Sequence, residues 1–306
     1  MPIVDRLRAG ALALLTLLTL LTPGVARSTA HDAPTDVAKA TTKKGPEHPY
    51  LIRHPLPFKL GERLVYDVKF SRFPIHASVG ELTFTVGQAA GSAQHVKFEV
   101  GARSKGALTS LFNVSVDDVL TALADRDDLF VYSSIKNIDE NDERRREESV
   151  FDRKSHTVRY AVSNPAAPSQ PATVTSAETN PWIQDVVSVV YFVRTRKFVK
   201  DREVNIPLSD EGKTYWIGVA PLAREEVKTD VGTFKTIKLD GRIFNGRYVR
   251  RDGQLFVWVT DDARHIPVKA WLKVPAGSVT FELTTLEEGT TAILPANRNV
   301  TEDGEE

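Results

Sequence analysis

The residues with the most chemical reach sit near the end of the chain, where Asp261 and Asp262 lie beside His265 in the stretch WVTDDARHIPV. A hydrolase would use such a group as a base and the carboxylate that orients it. The pair falls between two alternating apolar runs, where Asp is favoured because its side chain bonds the local backbone. Neighbouring turn residues also do not face one another across a cleft, as the carboxylates of a glycosidase must. Asp139 to Asp142, followed by Glu143, Arg144, Arg145 and Arg146, carries alternating oxygen donors but lacks the glycine and terminal glutamate of a calcium loop. It reads as a solvated, ion-paired hairpin end. His31, His48, His54, His76, His95, His156 and His265 show no ligand spacing. Ser104 lacks the glycine two residues before it that a nucleophile elbow needs, and no Walker or dinucleotide glycine pattern occurs. The expectation is a non-enzymatic protein that uses no metal and no cofactor. Four tryptophans remain: Trp182, Trp216 and Trp258 as apolar packing or lining, and Trp271, which shares a strand face with Lys269 and Lys273, as a snorkelling neighbour or part of a binding rim.

What positions these residues is a sheet. Period-two alternation dominates: Leu64, Tyr66, Val68 and Phe70 share a face, as do Leu82, Phe84 and Val86, then Val96, Phe98 and Val100. Further strands are expected at Val114 to Leu120, Leu129 to Tyr132, Val150 to Tyr160 with a break, Thr214 to Val219, Phe234 to Leu239, Arg247 to Arg251 and in three runs across Leu255 to Leu286. Glu211-Gly212, Asn245-Gly246 and Asp252-Gly253 are hairpin-type dipeptides. About ten to twelve strands are too many and too evenly spaced for βαβ units. One segment breaks the rhythm: Asn180-Pro181 is a cap and first-turn pair, and Trp182, Val186, Val190 and Val193 recur at helical spacing, predicting a helix over Pro181 to Lys197. It is apolar on most sides and needs sheet around it. In Leu255 to Thr260 both faces are apolar, so that strand too needs cover on both sides. A strongly curved antiparallel sheet, a half-barrel with the helix against its concave face, satisfies both.

The ends read differently. Arg6 and Arg8 precede an apolar run from Ala9 to Leu21, then small residues to Ala26, the pattern of a secretory signal peptide over residues 1–26 with cleavage after Ala26 or Ala30. The run is shorter than a membrane span. Residues 27–50 and 291–306 lack apolar periodicity and read as a disordered linker and tail. They flank a single β-rich domain over residues 51–290, in which Ser163 to Glu178 reads as a surface loop. With no cysteine there are no disulfides, and with Lys+Arg and Asp+Glu both at 40 the chain has no basic excess for nucleic acid. A periplasmic protein without a transmembrane segment in its mature form is implied.

Several landmarks in order, Gly61-Glu62-x-Leu64-x-Tyr66, Gly80-x-Leu82, Ser104-x-Gly106, Asp185-x-x-Ser188-x-x-Tyr191-x-x-Arg194, Val231-Gly232-x-Phe234 and Trp258-x-x-Asp261-Asp262-x-x-x-Ile266-Pro267-Val268, resemble the bacterial domain-of-unknown-function family 3108. The resemblance covers Pro57 to Leu286 and implies an exported protein tied to no reaction. The closing third is also similar to the periplasmic lipoprotein-carrier (LolA-like) half-barrel group, which implies a helix over a concave face that holds acyl chains. The reading is a carrier for an apolar ligand such as a lipid acyl chain, lined by Tyr66, Phe84, Phe98, Trp182, Val186, Tyr191, Trp216 and Trp258, with Lys269, Trp271 and Lys273 at the rim. The alternative is a scaffolding component of cell-envelope or surface-polysaccharide assembly acting through an envelope protein partner, which a side-chain-filled concave face would favour.

Overall fold

A computed structural model describes residues 52–106, 114–141, 143–243, 254–274 and 277–295. The expected signal peptide, the linker, most of the expected tail, the Arg247 to Arg251 strand and the turns at Asn245 and Asp252 lie outside the described residues. Among the described residues the chain forms fourteen strands and one short helix. The first meander is β1 (Lys59–Arg72), β2 (Ile75–Gln88), β3 (His95–Ser104), β4 (Asp117–Asp125), β5 (Val131–Glu140), β6 (Glu143–Asp152), β7 (Thr157–Ser163) and β8 (Thr173–Glu178). After α1 (Ser188–Arg194) comes the second: β9 (Val204–Asp210), β10 (Lys213–Thr229), β11 (Gly232–Ile243), β12 (Leu255–Thr260), β13 (Pro267–Val274) and β14 (Gly277–Ala292).

All the strands join one antiparallel sheet in the order β8-β7-β6-β5-β4-β3-β2-β1-β14-β13-β12-β11-β10-β9. The first and last strands therefore pair at its centre, Lys59 opposite Ala292 and Ser71 opposite Ser278, and β8 and β9 are left as the edges. The predicted faces are the observed ones: Leu64, Tyr66, Val68 and Phe70 are buried, with Leu82, Phe84, Val86, Val96, Phe98 and Val100 beside them on one continuous inner face. The sheet curls so far that its edges approach without laddering. Thr214 Oγ1 donates to Glu178 O (3.3 Å), and Lys136 of β5 reaches Asp210 of β9 and Glu147 of β6 (3.2 Å to the latter). The gap is filled by the segment after β8, where Gln184 N donates to Pro207 O (2.9 Å), Gln184 O accepts from Ser209 N (2.7 Å), and the Gln184 amide donates to Leu129 O (3.0 Å).

Three expectations need correction. The helix spans Ser188–Arg194 instead of Pro181 to Lys197, because Trp182 takes a positive φ of 58° and Gln184 gives its backbone groups to β9. A residue bonded into a strand ladder cannot also continue a helix. Ser163 to Glu178 is not a loop throughout, since Thr173–Glu178 forms edge strand β8. The domain also runs past 290: β14 ends at Ala292 and Ile293 is fully buried. The Glu211-Gly212 turn joins β9 to β10 as predicted, and the Asp139 to Glu143 stretch is a hairpin end carrying Arg144–Asp139 and Arg145–Glu143 pairs.

Candidate functional site

The site is organised by α1, and α1 is fixed by the four residues spaced three apart in the sequence. Asp185 Oδ1 accepts from Ser188 N (2.7 Å) while Ser188 Oγ accepts from Asp185 N (3.0 Å), a reciprocal lock on the first turn. Burial drives the Asp185 carboxyl above its usual pKa, and the hydrogen bonds from Ser188 work against that rise. One turn on, Tyr191 stacks on Phe98 (centroids 4.0 Å apart, 12° between planes) and meets Phe58 and Phe84 edge-on. Its hydroxyl donates to Thr85 O (3.3 Å). At the last turn Arg194, 1% exposed, forks onto Glu62 at 2.6 and 2.9 Å and donates to Pro57 O and Arg264 O. Its guanidinium lies over the rings of Phe58 and Tyr191.

Glu62 points inward by the same alternation as Leu64 and Tyr66, and a bulge just before it brings β14 close. Pairing of β1 with β14 slips between Leu60 and Glu62, where Gly61 and Gly289 both have positive φ. A Cβ on Gly289 would sit 2.6 Å from Glu62 N. The two glycines thus let the backbones of β1 and β14 close on each other beside Glu62.

Pinned this way, α1 divides the bowl. Its Tyr191 side is filled: Phe58, Tyr66, Phe84 and Phe98 pack as one aromatic group, with Tyr66 OH donating to Pro267 O (2.7 Å). Its valine side is not filled. Val186, Val189, Val190 and Val193 face a half-open cavity of about 270 Å³, lined on its other side by Ile217 and Val219 of β10, Leu239 and Gly241 of β11, Leu255, Val257 and Val259 of β12, and Leu272 of β13. The lining is almost wholly apolar. Arg242, paired with Glu203 (3.2 Å), stands at its border.

Of the expected lining residues, Val186 lines this cavity. Tyr66, Phe84, Phe98 and Tyr191 lie on the inner face but are spent in the filled half. Trp182, partly buried, sits in the strap before α1 and passes its carbonyl to the Gln184 amide (3.2 Å). Trp216 and Trp258 alternate with the inward Ile217 and Val259 and therefore belong to the convex face. Trp216 is 40% exposed, and Trp258 donates its indole N–H to Glu225. The expected rim is convex as well: Trp271 stacks on Phe256 (5.8 Å), Lys269 lies near the Trp258 ring, and Lys273 flanks the inward Leu272. Val190 and Val193, expected on the helix but not among the lining residues, line the cavity together with Val189, and the helical spacing of the valines was the signal. In Leu255 to Thr260, where both faces are apolar, it is the face of Leu255, Val257 and Val259 that forms the cavity wall.

A second, larger hollow of about 710 Å³ adjoins the first at Arg194. It is lined by the segment before β1, the C-terminal end of α1 and the β12–β13 turn. The Asp261–Asp262–His265 group belongs to this turn and is occupied structurally. Asp262 pairs with Arg264 (2.6 Å), Asp261 with Arg224 (2.8 Å), and His265 Nδ1 bonds Arg194 O (2.9 Å). The Asp262 carboxyl is held below the usual range, the bonds from Arg264 and Thr260 outweighing the cost of its burial. Among the described residues no group of three His, Asp or Glu side chains converges as a metal site, and no helix is long and apolar enough to cross a membrane.

The signature of the family described as "Protein of unknown function (DUF3108)" matches residues 65–284. The chain belongs to the DUF3108 family. The landmarks of this DUF3108 chain that carry the resemblance include the residues that seat the helix, with Asp185, Ser188, Tyr191 and Arg194 among them. A search of the curated proteins finds no match. Among solved structures, the chain is similar to a β-barrel-like DUF1849 protein from Brucella abortus, at 11% identity and TM-score 0.49 over 75% of this chain and 98% of that one. It is also similar to an exported protein with a YmcC-like fold from Bacteroides fragilis, at 10% identity and TM-score 0.28 over 76% and 98%. A lipoprotein from Parabacteroides distasonis matches at 9% identity and TM-score 0.29 over 76% and 98%.

Proposed function

We propose that this DUF3108 protein is an exported, non-enzymatic carrier that holds an apolar chain in the cavity between α1 and strands β10 to β13. The observation that supports this is the valine-lined space itself. The filled concave face that would favour a scaffold is present only on the Tyr191 side of the helix. About 270 Å³ is near the lower end of ligand pockets, which run from roughly 300 to 1,000 Å³, and corresponds to about nine water volumes of ~30 Å³. Such a space suits a medium-length chain of about eight carbons, whose burial contributes about 6 kcal/mol at ~0.8 kcal/mol per methylene. Association itself costs about 4 kcal/mol or more, so the apolar contact alone supports modest binding that a cell can reverse. The amino-terminal pattern of Arg6, Arg8 and the Ala9 to Leu21 run supports export to the periplasm.

The test is a fluorescent naphthylamine probe titrated into the mature protein, with native mass spectrometry of gently purified material alongside. Wild type should enhance the probe's emission and carry a lipid adduct. Val190→Phe, which puts a ring into the cavity from the helix, should lose most of the enhancement while keeping its far-UV spectrum and unfolding midpoint. Equal probe binding by wild type and Val190→Phe would remove the cavity from the proposal.

A further inference from the structure

We infer that the ligand is an anionic amphiphile, its chain in the valine-lined cavity and its phosphate or carboxylate head in the adjoining basin. This rests on the carrier reading and specifies the ligand class. The two hollows adjoin, because three stretches of the chain each contribute to the lining of both. Along α1 and the residues that follow it, Val193 faces the cavity, Arg194 borders both, and Arg196 and Lys197 face the basin. On β9, Leu208 faces the cavity and Val204 the basin. At the start of β13, Pro267 faces the cavity and the preceding Ile266 the basin.

The basin has a charge that the chain as a whole lacks. Arg53, Lys59, Arg194, Arg196, Lys197 and Arg264 line it against two carboxylates, Glu62 and Glu288, in a chain whose formal net charge is zero. Both carboxylates are already answered, Glu62 by Arg194 and Glu288 by Arg264, which also holds Asp262. Arg53, Lys59 and Lys197 are exposed, and among the described residues none of them enters an ion pair. Cations gathered beside an apolar cavity favour an anion there, and they favour it most when the anion is tethered to a buried chain. A chain of the length the cavity takes leaves little affinity after the cost of association, so the head contributes both strength and orientation.

The experiment displaces the naphthylamine probe from the mature protein at low ionic strength with decyl phosphate, decanoate, decanol and inorganic phosphate, using wild type, the triple variant Arg53→Gln/Lys59→Gln/Lys197→Gln, and Val190→Phe. The two charged amphiphiles should displace the probe about tenfold more tightly than decanol from wild type, the difference shrinking with added salt and vanishing in the triple variant. Inorganic phosphate alone should displace nothing. Decanol matching decyl phosphate in wild type would overturn the anionic head while leaving the apolar carrier intact. Inorganic phosphate competing as well as decyl phosphate would overturn it in favour of a free-anion site. Absence of probe binding in wild type would instead bring down the carrier reading itself, which keeps the two failures distinct.

Discussion

Arg194 and Glu62 form a pair 132 residues apart in sequence and nearly absent from the surface. The guanidinium satisfies both carboxylate oxygens and two backbone carbonyls besides, so the pair is close to fully hydrogen-bonded. The worth of such a pair lies less in its attraction than in the penalty for breaking it. Arg194→Met, which leaves Glu62 buried without a counter-charge, should cost about 3–5 kcal/mol in urea unfolding. The double variant Arg194→Met/Glu62→Gln should recover a large part of that loss. Equal destabilisation by single and double variants would mean that the pair acts through packing on Phe58 and Tyr191 instead. Half of this arrangement is readable in the sequence. The spacing Asp185, Ser188, Tyr191, Arg194 marks one side of a helix, and alternation with Leu64 and Tyr66 puts Glu62 on the inner face, but nothing local pairs the two, because they meet only when the sheet wraps the helix across 132 residues.

At the level of elements, what was legible followed from alternation. β1, β2 and β3 bury alternate residues over most of their length, so their inner faces are visible in the chain alone. β8 is exposed along almost its whole length and carries no alternation to read, which is why it passes for a loop. β10 and β12 pose the opposite difficulty, because both of their faces are apolar. Which face is concave depends on strands far away, so Trp216 and Trp258 could not be assigned to the outside in advance. The bulge at the centre of the sheet gives a test at this scale. Gly289 has φ of 71°, and a methyl group there meets Glu62 N and Leu60 O at 2.6 Å, both backbone atoms unable to swing away. Gly289→Ala should therefore destabilise by about 2 kcal/mol or more, against a few tenths expected for an exposed strand position. Gly91→Ala is the control: its φ is similar, at 72°, but no atom lies within 4 Å. It should cost only the backbone strain, and urea midpoints that fall equally in the two variants would show that close approach of β1 and β14 is not what Gly289 permits.

For the molecule as a whole, the central question is how an open sheet keeps a bowl shape with its two edges free to separate. The answer in the structure is a polar seam across the gap. Lys136 on β5 meets Asp210 on β9 and Glu147 on β6, all three almost fully buried, with Arg145 holding the other oxygen of Glu147 (2.7 Å). Burial works against the Lys136 charge, but Asp210 and Glu147 outweigh it and keep its pKa above the usual value. Burial likewise works against the Glu147 carboxylate, and Lys136 and Arg145 outweigh it, so its pKa falls below 4.5. A carboxyl whose pKa is lower folded than unfolded stabilises the fold above the unfolded value, and that contribution is lost as pH falls through the folded one. The seam should therefore hold at neutral pH and weaken on acidification below about 4.5. Lys136→Met, which leaves two carboxylates facing each other in a dry gap, should loosen it at pH 7 by about 3 kcal/mol or more. The loss should also be local, because β1 and β14 pair at the opposite side of the sheet. Hydrogen exchange read by mass spectrometry should show faster exchange in β8, β9 and the Gln184 strap, with β1 and β14 protected as in wild type. A uniform rise across all strands would mean that the seam supports the fold globally and is no separate closure of the bowl. If the rise is local, the cavity beside β9 should exchange its naphthylamine probe faster as well, because Leu208 of β9 is part of the wall that the seam holds in place.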